Sequence, residues 1–140
     1  MCSSDLYDFE IGRTIVVREG SDVTIFSTGA QTVRCLQAAD QLAADGVSAH
    51  VVHVPTIKPL DAQAIADAAA HTGRAVTAED HTIIGGLGGA VAEALGELHP
   101  TPMRRIGIRD TFGESAANED LLEKYGITAA HVADAARALL

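Results

Sequence analysis

A three-layer α/β fold is the architecture this sequence predicts: a mostly parallel five-stranded sheet, one antiparallel edge strand, and helices on both faces. Three observations predict it. Short β-branched runs alternate with longer Ala- and Leu-rich stretches at helical spacing. Gly, Pro or Asp stands at most changes of period. Strands separated by helices must then pair in parallel, through right-handed crossovers.

The elements follow in order. The β-branched run "RTIVVREG" spans residues 13–20, and "SDVTIFSTG" follows over 21–29. Arg18, Glu19, Gly20 and Ser21 between them predict a hairpin-like turn, so the first strand is the expected antiparallel edge. Residues 30–45 switch to helical spacing, with Cys35, Ala39 and Leu42 on one stripe and Gly46 as the C′ residue. A strand over 47–54 leads into the loop "PTIKPLD". Asp61 is placed to cap a helix over 62–71 that Gly73 ends. A strand over 74–80 turns acidic at its end. A helix over 88–99 follows the glycines and is stopped by Pro100 and Pro102. The last strand covers 103–109, and "DTFGES" is a loop. Helices over about 118–124 and 129–139 close the chain, the second capped by Thr128, with Ile127 and Val132 as its hydrophobic staple. Neither an internal repeat nor a low-complexity tract breaks the pattern after residue 10, which predicts one domain.

Composition narrows the function. The 140 residues are 47% hydrophobic and 21% charged, as in an ordinary globular domain, and 4% aromatic, so the core must be aliphatic. A formal net charge of -9 argues against nucleic acid and against anionic membranes. No apolar run is long enough to span a bilayer, and no basic-then-apolar start reads as a secretory signal. Cys2 and Cys35 make no disulfide framework, which predicts the cytoplasm. "MCSSDL" has no structural pattern, and its reverse translation fits a common sequencing adapter. Residues 1–6 are therefore expected to be a non-native or disordered leader, with the domain over 7–140.

The stretch with most chemistry is "AEDHTIIGGLGGAVAEAL", residues 78–95. Gly86-Leu87-Gly88-Gly89-Ala90-Val91 begins like a dinucleotide fingerprint, and Asp110 ends the next strand where a ribose acid would lie. Val91 breaks the third glycine position, however, and Glu79 and Asp80 would repel a pyrophosphate. Close approach of another piece of protein over the glycines is the better expectation. Gly113-Glu114-Ser115 resembles a nucleophile elbow that lacks its last glycine, and the one histidine after it, His131, sits in the terminal helix. Glu79, Asp80 and His81 alternate faces along a strand, and His50 and His53 face opposite ways, so no metal site is expected. Cys35 reads as a small core residue, and at least one of Arg104 and Arg105 as a solvated or interface charge.

Several segments carry a family likeness. "YDFEIGR", "REGSDVTIFSTG", "VVHVPTIKPLD", "TAEDHTIIGGLGGAVAEAL", "RIGIRDTFGES" and "LLEKYGIT" together resemble the C-terminal domain of transketolase-type, thiamine-diphosphate-dependent enzymes. The likeness is nearest to the small subunit of split transketolases, which carries a pyrimidine-binding domain followed by this one. It implies a parent enzyme that uses thiamine diphosphate and magnesium to transfer a two-carbon ketol unit between sugar phosphates. It also implies that the catalytic and cofactor-binding residues lie in the pyrimidine-binding and diphosphate-binding domains or subunit. The G-D-G motif of those enzymes has no counterpart here, since "ADG" at 44–46 ends a helix. No catalytic, cofactor-binding or metal residue is therefore assigned to this chain. Its implied work is interdomain packing and assembly of a homo- or hetero-oligomer, the dimer first.

Glu79, Asp80, His81, Gly85, Gly86, Gly88 and Gly89 are the interface candidates of the first loop, and Asp110, Phe112, Gly113, Glu114 and Ser115 those of the second. The unpaired N–H groups of the helix after the glycines are expected to be satisfied by a neighbour or by Asp80. A Gly88→Val change is expected to leave the isolated domain folded if the backbone angles at Gly88 are ordinary. Three other readings stay open: the tail of a 2-oxoacid dehydrogenase E1 β subunit that docks an acyltransferase, the end of a 1-deoxyxylulose-5-phosphate synthase, and a free-standing small-molecule-binding α/β domain.

Overall fold

A computed structural model describes residues 11–109 and 118–140. Five strands form one sheet: β1 (Ile15–Arg18), β2 (Val23–Ser27), β3 (Ala49–His53), β4 (Ala75–Thr82) and β5 (Met103–Ile108). Five helices accompany them: α1 (Gln31–Ala44), α2 (Ala62–Thr72), α3 (Leu87–Leu98), α4 (Asn118–Tyr125) and α5 (Ala129–Arg137). The strand order is β1-β3-β2-β4-β5, with β2, β3, β4 and β5 parallel and β1 antiparallel. This is the predicted fold class.

The aliphatic composition dictates two cores, one on each face. Val23 and Ile25 of β2, Val51 of β3 and Val76 of β4 meet Cys35, Ala39 and Leu42 of α1 and Val132 and Ala136 of α5. On the other face Phe26, Val52 and Ala75 meet Ile65 and Ala69 of α2 and Leu87, Val91 and Leu95 of α3. The period-two alternation along each strand feeds the two layers in turn. The predicted stripe on α1 is fully buried, and burial pushes the Cys35 thiol up to about 12, which keeps it protonated and inert.

Two local expectations need correction. The first two strands do not form a hairpin. β1 crosses to the outer edge and pairs with β3, Ile15 opposite His53 and Val16 opposite Val52. Both edges of β2 are taken by parallel partners, so the chain must pass over the start of β3. It does so at Gly20, where a Cβ would overlap the Ala49 carbonyl. Asp61 is the N-cap residue of α2, but its carboxylate does not cap. Its Oδ2 accepts instead from the Thr14 N–H at 2.8 Å and the Thr14 hydroxyl at 3.3 Å, which ties the segment before β1 to the start of α2. Thr128 does cap α5, accepting from the His131 N–H at 3.3 Å, and Ile127 and Val132 are buried beside it as the staple requires.

Candidate functional site

In an open parallel sheet the carboxyl ends of the strands, at the point where connections leave in opposite directions, are the usual ligand edge. Here that point lies between β2, whose connection α1 covers one face, and β4, whose connection α3 covers the other. The acidic-glycine loop stands on this edge, so its side chains decide what the edge can do.

β4 carries an irregularity at the decisive place. Ala78 pairs with Ile106 and Thr82 with Ile108, so four steps along β4 match two along β5. A bulge of this kind re-aims side chains. Glu79 turns to the α3 side and is fully buried. Its Oε1 accepts from the Leu87 N–H at 2.9 Å and its Oε2 from the Gly88 N–H at 2.8 Å. The free N–H groups of the first turn of α3 are thus closed by a carboxylate eight and nine residues earlier, at the positive end of the helix dipole. The cap expected from a neighbour or from Asp80 is supplied by Glu79.

Asp80 points to the opposite face. Its Oδ1 lies 2.8 Å from Arg34 Nη1 on α1, and the same guanidinium donates to Gln31 Oε1 at 3.0 Å. Gln31, buried, donates in turn to the Ile127 carbonyl at 2.9 Å. Ser27 and Thr32 share a hydrogen bond of 2.8 Å, and Thr32 shares another of 2.8 Å with His53 Nδ1. Ala30 offers α1 no side-chain cap, and this polar belt fastens its first turn instead. Burial lowers the His53 pKa, so its imidazole is neutral at the belt.

The glycines fall into three groups. Gly85 has φ 74, a left-handed conformation that a side chain resists. Gly86 and Gly88 make room inside the chain. A Cβ at position 86 would overlap Glu79 Oε1, and one at 88 would lie 2.9 Å from Arg105 Cδ and 3.0 Å from Thr77 Oγ1. Gly107 of β5 does the same for the Glu79 stem, where a Cβ would sit 3.1 Å from Cγ. Gly89 has open space above it and no positive φ, so neither sterics nor backbone requires a glycine there. At Gly86 and Gly88 the group that approaches closely belongs to the chain itself, not to another piece of protein. The expectation that Gly88→Val leaves the domain folded meets the buried Thr77 and the partly buried Arg105 side chain. Thr77 Oγ1 is also the buried side-chain oxygen without a partner among the described residues.

His81, Gly85 and Gly89 remain accessible in the first loop, while Asp110, Phe112, Gly113, Glu114 and Ser115 lie outside the described residues, as do residues 1–6. The described residues contain no group of three His, Cys, Asp or Glu side chains placed to hold a metal ion, and no helix among them is long and apolar enough to cross a membrane. The α3 N-terminus does not fit a diphosphate. The two N–H groups that would face it already bind a carboxylate, and that carboxylate would repel the ligand.

Sequence reading missed one cluster. His50 Nδ1 accepts from the Gly20 N–H at 3.3 Å, and His71 Nε2 donates to the Gly20 carbonyl at 3.1 Å, their rings edge-to-face at 5.6 Å. The two imidazoles clamp the crossover between β1 and β2. Only the tertiary fold brings Gly20, His50 and His71 together, and no spacing in the sequence signals it.

The described residues thus form a doubly wound sheet whose switch point is capped from within the chain. The family described as "Transketolase, C-terminal domain" matches residues 12–132, and the chain belongs to that family. It is 47% identical over 129 residues to a 6-deoxy-6-sulfo-D-fructose transketolase subunit (SqwH) of Clostridium sp. strain MSTE9, covering 92% of this chain and 40% of that protein. It is 43% identical over 137 residues to a 1-deoxy-D-xylulose-5-phosphate synthase of Heliobacterium modesticaldum, covering 96% of this chain and 21% of that enzyme. Among solved structures, a chain described as "Split gene transketolase, inactive beta4 tetramer" superposes with a TM-score of 0.91 at 48% identity, covering 94% of this chain and 43% of that one. The chain thus spans less than half the length of these proteins.

Proposed function

We propose that this chain serves as the C-terminal domain of the small subunit of a split transketolase-type enzyme, and that its work is packing and assembly. In this reading the parent enzyme moves a two-carbon ketol unit between sugar phosphates in the cytoplasm. Thiamine diphosphate and magnesium are held by the pyrimidine-binding and diphosphate-binding domains, which belong to other parts of the assembly. The partner is protein, neither nucleic acid nor membrane. The observation that carries the reading is the state of the sheet's ligand edge: Glu79 closes the α3 N-terminus and Arg34 neutralises Asp80, so the edge is spent on holding the domain together. The accessible parts of the first loop, His81, Gly85 and Gly89, are the residues this reading gives to interdomain or intersubunit contact. The segment from Asp110 to Ser115, which follows β5 in the chain, is given the same role.

Identity of 47% to a transketolase subunit of which the match covers 40% supports this reading above the synthase alternative, at 43% identity with 21% of that enzyme covered. A domain graft tests it. Residues 7–140 replace the corresponding segment of a split-transketolase small subunit, which is then mixed with its large subunit. Retained ketol transfer with the host's sugar preference is expected. An assembled graft that adopts a new sugar preference would show that the domain takes part in substrate recognition.

A further inference from the structure

The edge strand β1 is tied down at both ends, and one of the ties depends on a proton. Before the strand, the Thr14 N–H donates to Asp61 Oδ2 at 2.8 Å. After it, the chain crosses the start of β3 at Gly20, between His50 of β3 and His71 of α2. The Gly20 N–H donates to His50 Nδ1 at 3.3 Å, and His71 Nε2 donates to the Gly20 carbonyl at 3.1 Å. The ion pair of Arg18 with Asp40, 2.6 Å long, lies on the surface and adds little.

The two imidazole bonds respond differently to acid. To accept from an N–H, His50 Nδ1 must carry no hydrogen, so this ring is neutral with its proton on Nε2. A second proton enters at Nδ1 and turns the acceptor into a donor. The Gly20 N–H then faces another N–H, and the bond is lost. Glu19 Oε2 already lies 3.5 Å from that nitrogen and accepts from it instead. His71 Nε2 donates in either charge state, so its bond to Gly20 survives protonation. His53, further along β3, shares its Nδ1 bond with the Thr32 hydroxyl, which can donate or accept, and protonation there forces no break.

Among the described residues, the turn after β1 presents Glu19 to His50, and α2 presents His71 and, in the same hollow, Asp67. β1 presents Val16 and β2 presents Thr24, both uncharged. Asp67 accepts from Gln63 Nε2 at 2.9 Å. Burial lowers the His50 pKa from 6.5, Glu19 raises it and His71 lowers it, so a proton reaches the latched ring only below pH 6.5. The released ring binds that proton better than the latched one, and acid therefore favours release.

We propose that His50 is a proton-operated latch on the edge strand: neutral, it holds the crossover at Gly20, and protonated, it exchanges Gly20 for Glu19 and lets β1 lift from β3. Asp61 keeps hold of Thr14, so β1 swings from that end and bares the outer edge of β3. The far side of the crossover stays fixed, because Ser48 accepts from the Ser21 and Asp22 N–H groups, at 3.2 Å and 2.8 Å, through oxygens that do not titrate. An edge strand of four residues is a small unit, and such units open without unfolding the rest. The latch does not depend on which enzyme the domain serves.

Backbone-amide hydrogen exchange of the 140-residue chain, followed by NMR, tests it. Rates are expressed as protection factors, so that the pH dependence of the exchange chemistry itself cancels. From about pH 7.5 to about pH 5.5 the amides of β1 and Gly20 should lose about tenfold in protection while those of β2 and β4 keep theirs. His50→Gln gives Gly20 an acceptor that does not titrate, and should keep β1 protected at both pH values. His71→Gln still donates to the Gly20 carbonyl, and should lose protection as the wild type does. Glu19→Gln removes the carboxylate that receives the proton, and should move the loss to lower pH. Should His50→Gln not fold, Glu19→Gln, on an exposed side chain, decides by the same shift. The proposal is overturned by wild-type β1 protection that ignores pH, by a loss in His50→Gln equal to that of the wild type, or by a loss that His71→Gln abolishes. A midpoint unmoved in Glu19→Gln, or β2 and β4 opening in step with β1, would overturn it equally.

Discussion

A buried carboxylate without an ion pair persists only if hydrogen bonds replace its water, and Glu79, which has no ion pair among the described residues, meets that condition with two backbone N–H groups. Truncation to Ala leaves both donors buried and unsatisfied. Glu79→Ala should cost about 2–4 kcal/mol in urea unfolding, and Glu79→Gln, which keeps one acceptor, distinctly less. Equal losses for the two would mean that the side chain acts by filling space rather than by capping. The histidines add a pH dependence. Burial lowers the pKa of His53 and of His50 below the ordinary 6.5; at His50 the nearby Glu19 opposes the shift and His71 adds to it. A histidine with a lowered folded pKa binds fewer protons folded than unfolded in the window below 6.5. Its stabilising effect is therefore complete above that pH and is lost as the pH falls through the folded value. Thermal melts should show the melting temperature falling below pH 6.5, and the fall should shrink in a His50→Gln, His53→Gln double variant.

At the scale of elements, the crossover from β1 to β2 and the turn into α3 both depend on absent side chains. A Cβ at Gly20 would enter the Ala49 backbone, which cannot move without disturbing the β3 ladder. Gly20→Ala should therefore destabilise by about 3 kcal/mol, at the top of the usual range for overpacking. Gly88→Val meets Thr77 and the flexible end of Arg105, and should cost about 1–3 kcal/mol. Chemical denaturation of both variants checks the order. Element type was readable almost throughout, because the aliphatic periodicity is strong and Gly46, Gly73 and Thr128 mark helix ends. What sequence left unread was long-range. The turn at 18–21 has hairpin chemistry, but pairing is settled by which sheet edge is free. Asp61 has cap chemistry, but Thr14 competes for it from 47 residues away. Adjacent acids at 79 and 80 could be assigned to opposite faces by alternation alone. Which of them caps α3 depended on the bulge against β5, which no local pattern announces.

At the scale of the whole molecule, the helices that connect the strands close both faces of the sheet. α1 and α5 seal one face and α2 and α3 the other, and the polar residues of the carboxyl edge bind one another. The family likeness was legible in "TAEDHTIIGGLGGAVAEAL" and "RIGIRDTFGES". The role of the first segment's glycines was legible only in part, since Gly86 and Gly88 serve the chain itself and Gly89 faces outward. The central claim is that this domain supports a thiamine-diphosphate enzyme without holding its cofactor. Isothermal titration calorimetry of the chain with thiamine diphosphate and magnesium tests it most directly. The account predicts no binding heat, because the α3 N-terminus at the switch point is already closed by Glu79. Saturable binding in the micromolar range would contradict it.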